Sequence, residues 1–157
     1  MPSSPAVLAL RAAGVEFTPH FYAYEDRGGT AVSARALGVD EHAVVKTLIM
    51  QDEAARPCVV LMHGDCEVLT KTLARSVGVK RIEPCRPEVA ERHTGYRVGG
   101  TSPFGMRKKM PVYLEQTVLA LPRIYVNGGS RGFLVGIPPQ AVVDLLHPAL
   151  VSAANTS

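Results

Sequence analysis

Two apolar runs, Val44-Val45-Lys46-Thr47-Leu48-Ile49-Met50 and Cys58-Val59-Val60-Leu61-Met62, constrain this chain more than any other feature. Separated only by the polar segment Asp52 to Pro57, they predict a pair of buried strands joined by a loop, the core of a sheet. One residue is out of place there. A strand period of two puts Lys46 on the same face as Val44, Leu48 and Met50, yet lysine is seldom fully buried unless paired. Its ammonium either reaches the sheet edge, where it discourages aggregation, or lines a cavity that holds an anion or a carbonyl oxygen.

Short elements punctuated by glycine and proline fill the rest of the chain. A helix is expected from Ser4 to Ala13, with Ser3 or Ser4 near its cap and Gly14 as its stop. Glu16 to Tyr24 reads as a strand with Phe17, Pro19, Phe21 and Ala23 on one face. Thr18, His20, Tyr22 and Tyr24 share the other, more polar face. After the turn Asp26 to Gly29, Thr30 is expected to cap a helix that Gly38 ends, with a second short helix over Asp40 to Ala43. Further helices are expected over Val68 to Val77, Pro87 to His93 and Pro139 to Leu146. Strands are expected at Arg81 to Ile82, Pro111 to Leu114, Arg123 to Asn127 and Phe133 to Gly136, the last two joined by a hairpin turn over Gly128 to Gly132. Val151 to Ser157 is expected to be a flexible tail.

A chain of 157 residues, 46% hydrophobic and 20% charged, has the size and composition of one soluble folded domain. Its net charge is only +3, but Arg107, Lys108 and Lys109 run together, and Lys80, Arg81 and Arg86 form a looser basic cluster. Such a run is either a solvated face or a contact for nucleic-acid phosphate. Cys58, Cys66 and Cys85 are odd in number and show no CxxC or Cys/His ligand spacing, so neither a disulfide framework nor a zinc site is expected, which fits a reducing cytosol. The apolar stretch Pro5 to Ala13 has no basic segment before it and is interrupted by Arg11, which argues against a signal peptide. No run approaches the ~20 apolar residues of a membrane span.

The segment Gly95-Tyr96-Arg97-Val98-Gly99-Gly100-Thr101-Ser102-Pro103-Phe104-Gly105 is a shaped loop. Adjacent glycines permit positive φ and close backbone approach, so successive N–H groups can point at a ligand oxygen. The alternative is a tight connection with no ligand. It is neither a GxGxxG nor a Walker loop. His20, His42, His63, His93 and His147 are scattered without metal or triad spacing, and His63-Gly64-Asp65-Cys66 reads as a turn rather than a Cys/His nucleophile.

Together these residues resemble the YbaK/ProX family of aminoacyl-tRNA deacylases, which includes the editing domain inserted in bacterial prolyl-tRNA synthetases. The resemblance rests on His20-Phe21-Tyr22, Val45-Lys46-Thr47-Leu48, the segment Thr94 to Gly105, and Ile124-Tyr125-Val126-Asn127-Gly128-Gly129 with Arg131-Gly132. It implies a mixed α/β fold, a curved or barrel-like sheet surrounded by helices. It also implies a pocket for the aminoacyl-adenosine end of tRNA, with Lys46 as the catalytic residue. Tyr22, Thr47, Gly99, Gly100, Thr101, Ser102 and Asn127 would contact substrate, and Arg107, Lys108 and Lys109 would contact tRNA phosphate. No metal or cofactor is implied. The expected partners are aminoacyl-tRNA, with tRNA(Pro) favoured, and prolyl-tRNA synthetase.

An aminoacyl ester is already reactive, so a protein need mainly orient it, stabilise the developing oxyanion and admit a nucleophile. Cysteine is the first expected target, with alanine and serine next. The family's cysteine-clearing members carry serine where this chain has Asn127, which leaves the choice among these open. A non-catalytic module that holds aminoacyl-tRNA or a synthetase in the same pocket, and a Schiff-base enzyme using Lys46, are the other readings.

Overall fold

Ser4 starts the first helix. Its Oγ accepts the Val7 N–H at 3.1 Å, proline follows as the first helical residue, and Ala6, Val7 and Leu10 of α1 (Pro5–Ala12) are fully buried. The computed structural model describes residues 3–155. Gly38 and Gly78 end α2 (Gly29–Leu37) and α3 (Thr70–Val77) in the left-handed conformation, as their positions predict. Thr30 does not cap α2. The N-cap is Gly28, and the Thr30 hydroxyl instead lies 2.7 Å from Glu41 Oε2 and 3.1 Å from Gly64 O, tying the helix to the turns beside it.

The fold is mixed α/β. One sheet has the order β5 (Ile82–Pro84), β2 (Val45–Asp52), β3 (Pro57–His63), β6 (Val112–Glu115), β9 (Ala149–Val151). Its first three strands pair antiparallel, and β3–β6 and β6–β9 pair parallel. A second, antiparallel sheet has the order β1 (Thr18–Phe21), β8 (Phe133–Ile137), β7 (Ile124–Ser130). The sheets meet where Val44 bridges Tyr125, and they do not close into a barrel. Every residue of β3 after Pro57 is buried, the signature of a strand covered on both faces. The main core lies around Leu10, Val45, Ile49, Leu61, Leu114, Val126 and Phe133, with α5 (Gln140–Leu146) against it. A second cluster, around Met50, Val60, Leu73 and Val151, sits under α3.

The expected tail is different. Val151 ends β9, Ala153 is fully buried, and Ala154–Asn155 form β10, paired antiparallel with β4 (Glu67–Val68). The buried Glu115 carboxylate accepts the Ala153 N–H at 2.7 Å, so this segment is held by side-chain as well as strand bonds. Positions 156 and 157 of the expected tail lie outside the described residues. The hairpin differs too: β7 runs on to Ser130 and accommodates Gly128 and Gly129 as an irregularity between Asn127 and Ser130.

Candidate active site

β5 pairs with β2 only at Met50, Gln51 and Asp52, and the Cys85 N–H closes the next position by donating to Ile49 O at 3.0 Å. The first half of β2 therefore has an edge at the seam between the two sheets, and a cleft of about 580 Å³ opens along it. Tyr22, Lys46, Thr47, Gly99, Thr101 and Asn127, which are widely separated in sequence, all line this cleft. A larger, more open hollow of about 910 Å³ lies between α1, β1 and α5, lined by Arg11, Thr18, Arg123 and Asp144 among others. It contains none of the site residues expected from sequence, so the smaller cleft is the candidate site.

Lys46 is half-buried and its Nζ lies 3.4 Å from Gly64 O. It thus combines the two readings open at the sequence level, since its strand has a local edge and that edge faces a cavity. Thr47 projects from the opposite face of β2. Its Oγ1 is buried and has no hydrogen-bond partner among the described residues. A buried hydroxyl left unpaired costs about 1–3 kcal/mol. Tyr22 directly follows β1 and continues its more polar face, and that face turns inward: Tyr22 and Tyr24 are half-buried, whereas Phe21 is 60% exposed and stacks on Phe133 at the edge of the sheet. Burial pushes the Tyr22 phenol above its usual range, with Tyr24 adding to the effect and Gly132 and Ser33 opposing it. Tyr22 therefore stays a phenol at neutral pH and can donate a hydrogen bond.

Opposite β2 stands the turn Arg97-Val98-Gly99-Gly100, closed by the Gly100 N–H donating to Arg97 O at 2.8 Å. Gly99 has φ +89°, and a Cβ there would stand 2.5 Å from Tyr24 Oη. Asn127 Nδ2 donates to Gly99 O at 3.3 Å and to Ser130 O at 3.1 Å, and its Oδ1 accepts the Gly129 N–H at 2.6 Å. Arg131 Nε donates to Val98 O at 2.9 Å, and the guanidinium lies 5.0 Å from the centre of the Tyr24 ring. Glu91 Oε2 accepts the Val98 N–H at 2.8 Å. The loop is therefore not a run of free amides, because the N–H groups of Val98 and Gly100 are satisfied within the protein.

Two expected contacts lie behind the lining. Gly100 packs against the backbone of Ser130 and Arg131, where a Cβ would meet atoms at 2.9 Å, and the Ser102 hydroxyl is fully buried and accepts the Phe104 N–H at 3.2 Å. Arg107, Lys108 and Lys109 are exposed and do not line the cleft. Their backbone is fixed by bonds from the Arg107 N–H to Thr94 O and from the Lys108 N–H to His93 O, both 3.0 Å. Tyr24, Ser33, Cys85 and Arg131 also line the cleft, although the sequence gives none of them a site role. A signal existed for Tyr24, which shares the strand face of Tyr22. No histidine is among the lining residues.

A family model described as the aminoacyl-tRNA editing domain matches residues 25–145. Among curated proteins, EbsC of Enterococcus faecalis, named as a candidate Cys-tRNA(Pro)/Cys-tRNA(Cys) deacylase, is 33% identical over 123 residues, covering 78% of this chain and 75% of EbsC. A proline–tRNA ligase of Brachyspira hyodysenteriae is 29% identical over 86 residues, covering 55% of this chain but 15% of the ligase. Among solved structures, one described as a candidate trans-editing enzyme for prolyl-tRNA synthetase superposes with a TM-score of 0.84 at 22% identity, covering 99% of each chain. The hypothetical protein APE2540 superposes with a TM-score of 0.88 at 22% identity, over 97% of this chain and 100% of the other.

Proposed function

This chain belongs to the aminoacyl-tRNA editing domain family, and from that premise we propose that it is a trans-acting deacylase clearing a mischarged small amino acid from tRNA. Cys-tRNA(Pro) is the first substrate, and alanine and serine esters come next. The observation that carries this reading is the convergence of Tyr22, Lys46, Thr47, Gly99 and Asn127, far apart in sequence, on one cleft.

In this reading the ester end of the tRNA enters between β2 and the turn at Gly99. Lys46 acts as an electrostatic anchor for the ester carbonyl or the neighbouring ribose and phosphate oxygens. It leaves Gly64 O, a weak partner at 3.4 Å, to stabilise the developing oxyanion. Thr47 and Tyr22 supply further hydrogen bonds to the substrate. Asn127, engaged through both ends of its amide, sets the position of Gly99 and so the width of the pocket. A pocket separates amino acids differing by one small group by only about 1–3 kcal/mol, so such a wall is enough to set preference.

The nucleophile is water or, for a cysteine ester, the substrate's own thiol. In the second case sulfur bonds to the carbonyl carbon, the ester C–O bond breaks, and the ribose oxygen leaves with the thiol proton. The cell compartment is the cytoplasm, and a prolyl-tRNA synthetase is the candidate protein partner. Among the described residues no helix is long and apolar enough to cross a membrane.

Release of labelled amino acid from Cys-, Ala-, Ser- and Pro-tRNA(Pro), with wild type against Lys46→Ala, tests the proposal. Turnover by the wild type and its loss in the variant is the expected result. Protection of the ester without turnover would make the protein a binding module instead.

A further inference from the structure

The turn that carries the Lys46 acceptor holds a second constellation. His42, in the 3₁₀ turn Glu41–Ala43, faces Asp65 and Cys66 of the turn after β3. His42 Nδ1 lies 2.8 Å from Asp65 Oδ1, Cys66 Sγ lies 3.5 Å from the same oxygen, and the three donor atoms lie within 4.8 Å of one another. Zinc bonds to nitrogen, oxygen and sulfur of about 2.0–2.3 Å imply ligand separations of roughly 3.3–3.8 Å around a tetrahedron. The observed separations bracket that range, so a small opening of the His42–Asp65 contact would admit the ion.

The backbone behind each donor is fixed independently. Asp40 caps the 3₁₀ turn by accepting the His42 N–H at 2.9 Å. The ring of the buried His63 stacks on His42 with centroids 3.6 Å apart and planes 7° apart, and its Nδ1 lies 2.7 Å from His42 O. The Gly64 N–H donates to Val44 O at 2.6 Å and the Cys66 N–H to His63 O at 3.1 Å. These bonds fix the backbone from which the three donors project.

We propose that His42, Asp65 and Cys66 form a binding site for zinc or a similar borderline-soft divalent cation, with solvent as the fourth ligand. The donor set of one imidazole, one carboxylate and one thiolate suits that class and not magnesium or calcium, which prefer oxygen alone. Both anionic ligands together neutralise the dication, so loading takes the turn whose Gly64 carbonyl faces Lys46 from the single negative charge of Asp65 to zero. The site is independent of the deacylase reading and stands or falls without it. Cysteine binds such a cation as its thiolate, so loading releases the Cys66 proton.

Titration of the full chain with Co²⁺ alone, followed by displacement with Zn²⁺, reads the site directly. One equivalent of cobalt should produce tetrahedral d–d absorption and a thiolate-to-cobalt charge-transfer band. That band should persist in Cys58→Ser and Cys85→Ser and vanish in Cys66→Ser. Zn²⁺ should raise the melting temperature of the wild type but not of Cys66→Ser. Asp65→Asn and His42→Gln, which keep the thiol, should each weaken Zn²⁺ binding by more than the roughly 10- to 100-fold cost of an outer-shell loss. Absence of the band, its survival in Cys66→Ser, or unchanged affinity in both Asp65→Asn and His42→Gln would overturn the proposal.

Discussion

Threonine suits a strand such as β2, but Thr47 Oγ1 is buried with no hydrogen-bond partner among the described residues, and valine would fill the same shape with no polar atom to satisfy. Thr47→Val should therefore leave stability in urea unchanged or slightly raised. Its kcat/KM for aminoacyl-tRNA should fall about threefold to tenfold, the effect of one net hydrogen bond. Lower stability with unchanged kcat/KM would assign the hydroxyl to the fold. Lys46 stood out without any relative, because a lysine in an apolar strand demands an explanation, but the choice between sheet edge and cavity stayed open and its role came from the resemblance. Thr47 was not, because only the position of its hydroxyl distinguishes it. Ser102 and Gly100 stand in the same loop as Gly99, yet one satisfies a buried amide and the other admits a neighbouring backbone. Linear order does not separate such residues from those that face a ligand.

The turn over residues 97–100 is an element held from three sides, by Asn127, Arg131 and Glu91. Gly99→Ala imposes both a left-handed backbone and contact with Tyr24. Stability should drop by about 1–2 kcal/mol, with a loss of activity larger than that of Gly14→Ala. Gly14 has φ +70°, and a Cβ added there would meet no atom within 4 Å, so that variant isolates the backbone cost. If the two variants lose activity equally, the turn does not shape the site. The loop between β2 and β3 makes a different prediction. The Arg56 N–H, the Arg56 guanidinium and the Ala54 N–H all bind Asp52 and hold its carboxyl below the usual aspartate range, against the opposing effect of burial. A depressed folded value stabilises the protein above the ordinary aspartate pKa and is lost as pH falls through the folded one. Melting temperatures taken from neutral pH down to about pH 3 should fall less steeply for Asp52→Asn than for wild type. Both strands of this hairpin were legible because they are adjacent and apolar, whereas β9 and β10 are too short to show alternation and carry no such signal.

Across the whole molecule, what sequence leaves hidden is long-range pairing. β3 lies parallel to β6 and β6 to β9, across long stretches of intervening chain, and the cleft exists because two sheets meet at Val44 and Tyr125. His42, Asp65 and Cys66 likewise come together only in the fold, which is why a search for local ligand spacing passes over them. Surface charge, in contrast, is additive and readable from the chain. Arg107, Lys108 and Lys109 are exposed on a segment whose backbone is anchored to the end of α4 (Pro87–Thr94), so their charges are presented at a fixed place. If that segment tracks tRNA phosphate, replacing all three residues with glutamine should weaken tRNA binding. It should also flatten the plot of log affinity against log salt by roughly 0.7–0.9 per contact removed. The turnover number at saturating tRNA should stay unchanged, because none of the three lines the cleft. Affinity measured by filter binding between low and moderate salt decides the matter: an unaltered slope would place the RNA on another face, whereas a flatter slope with an intact turnover number would orient the acceptor stem across α4 toward the cleft.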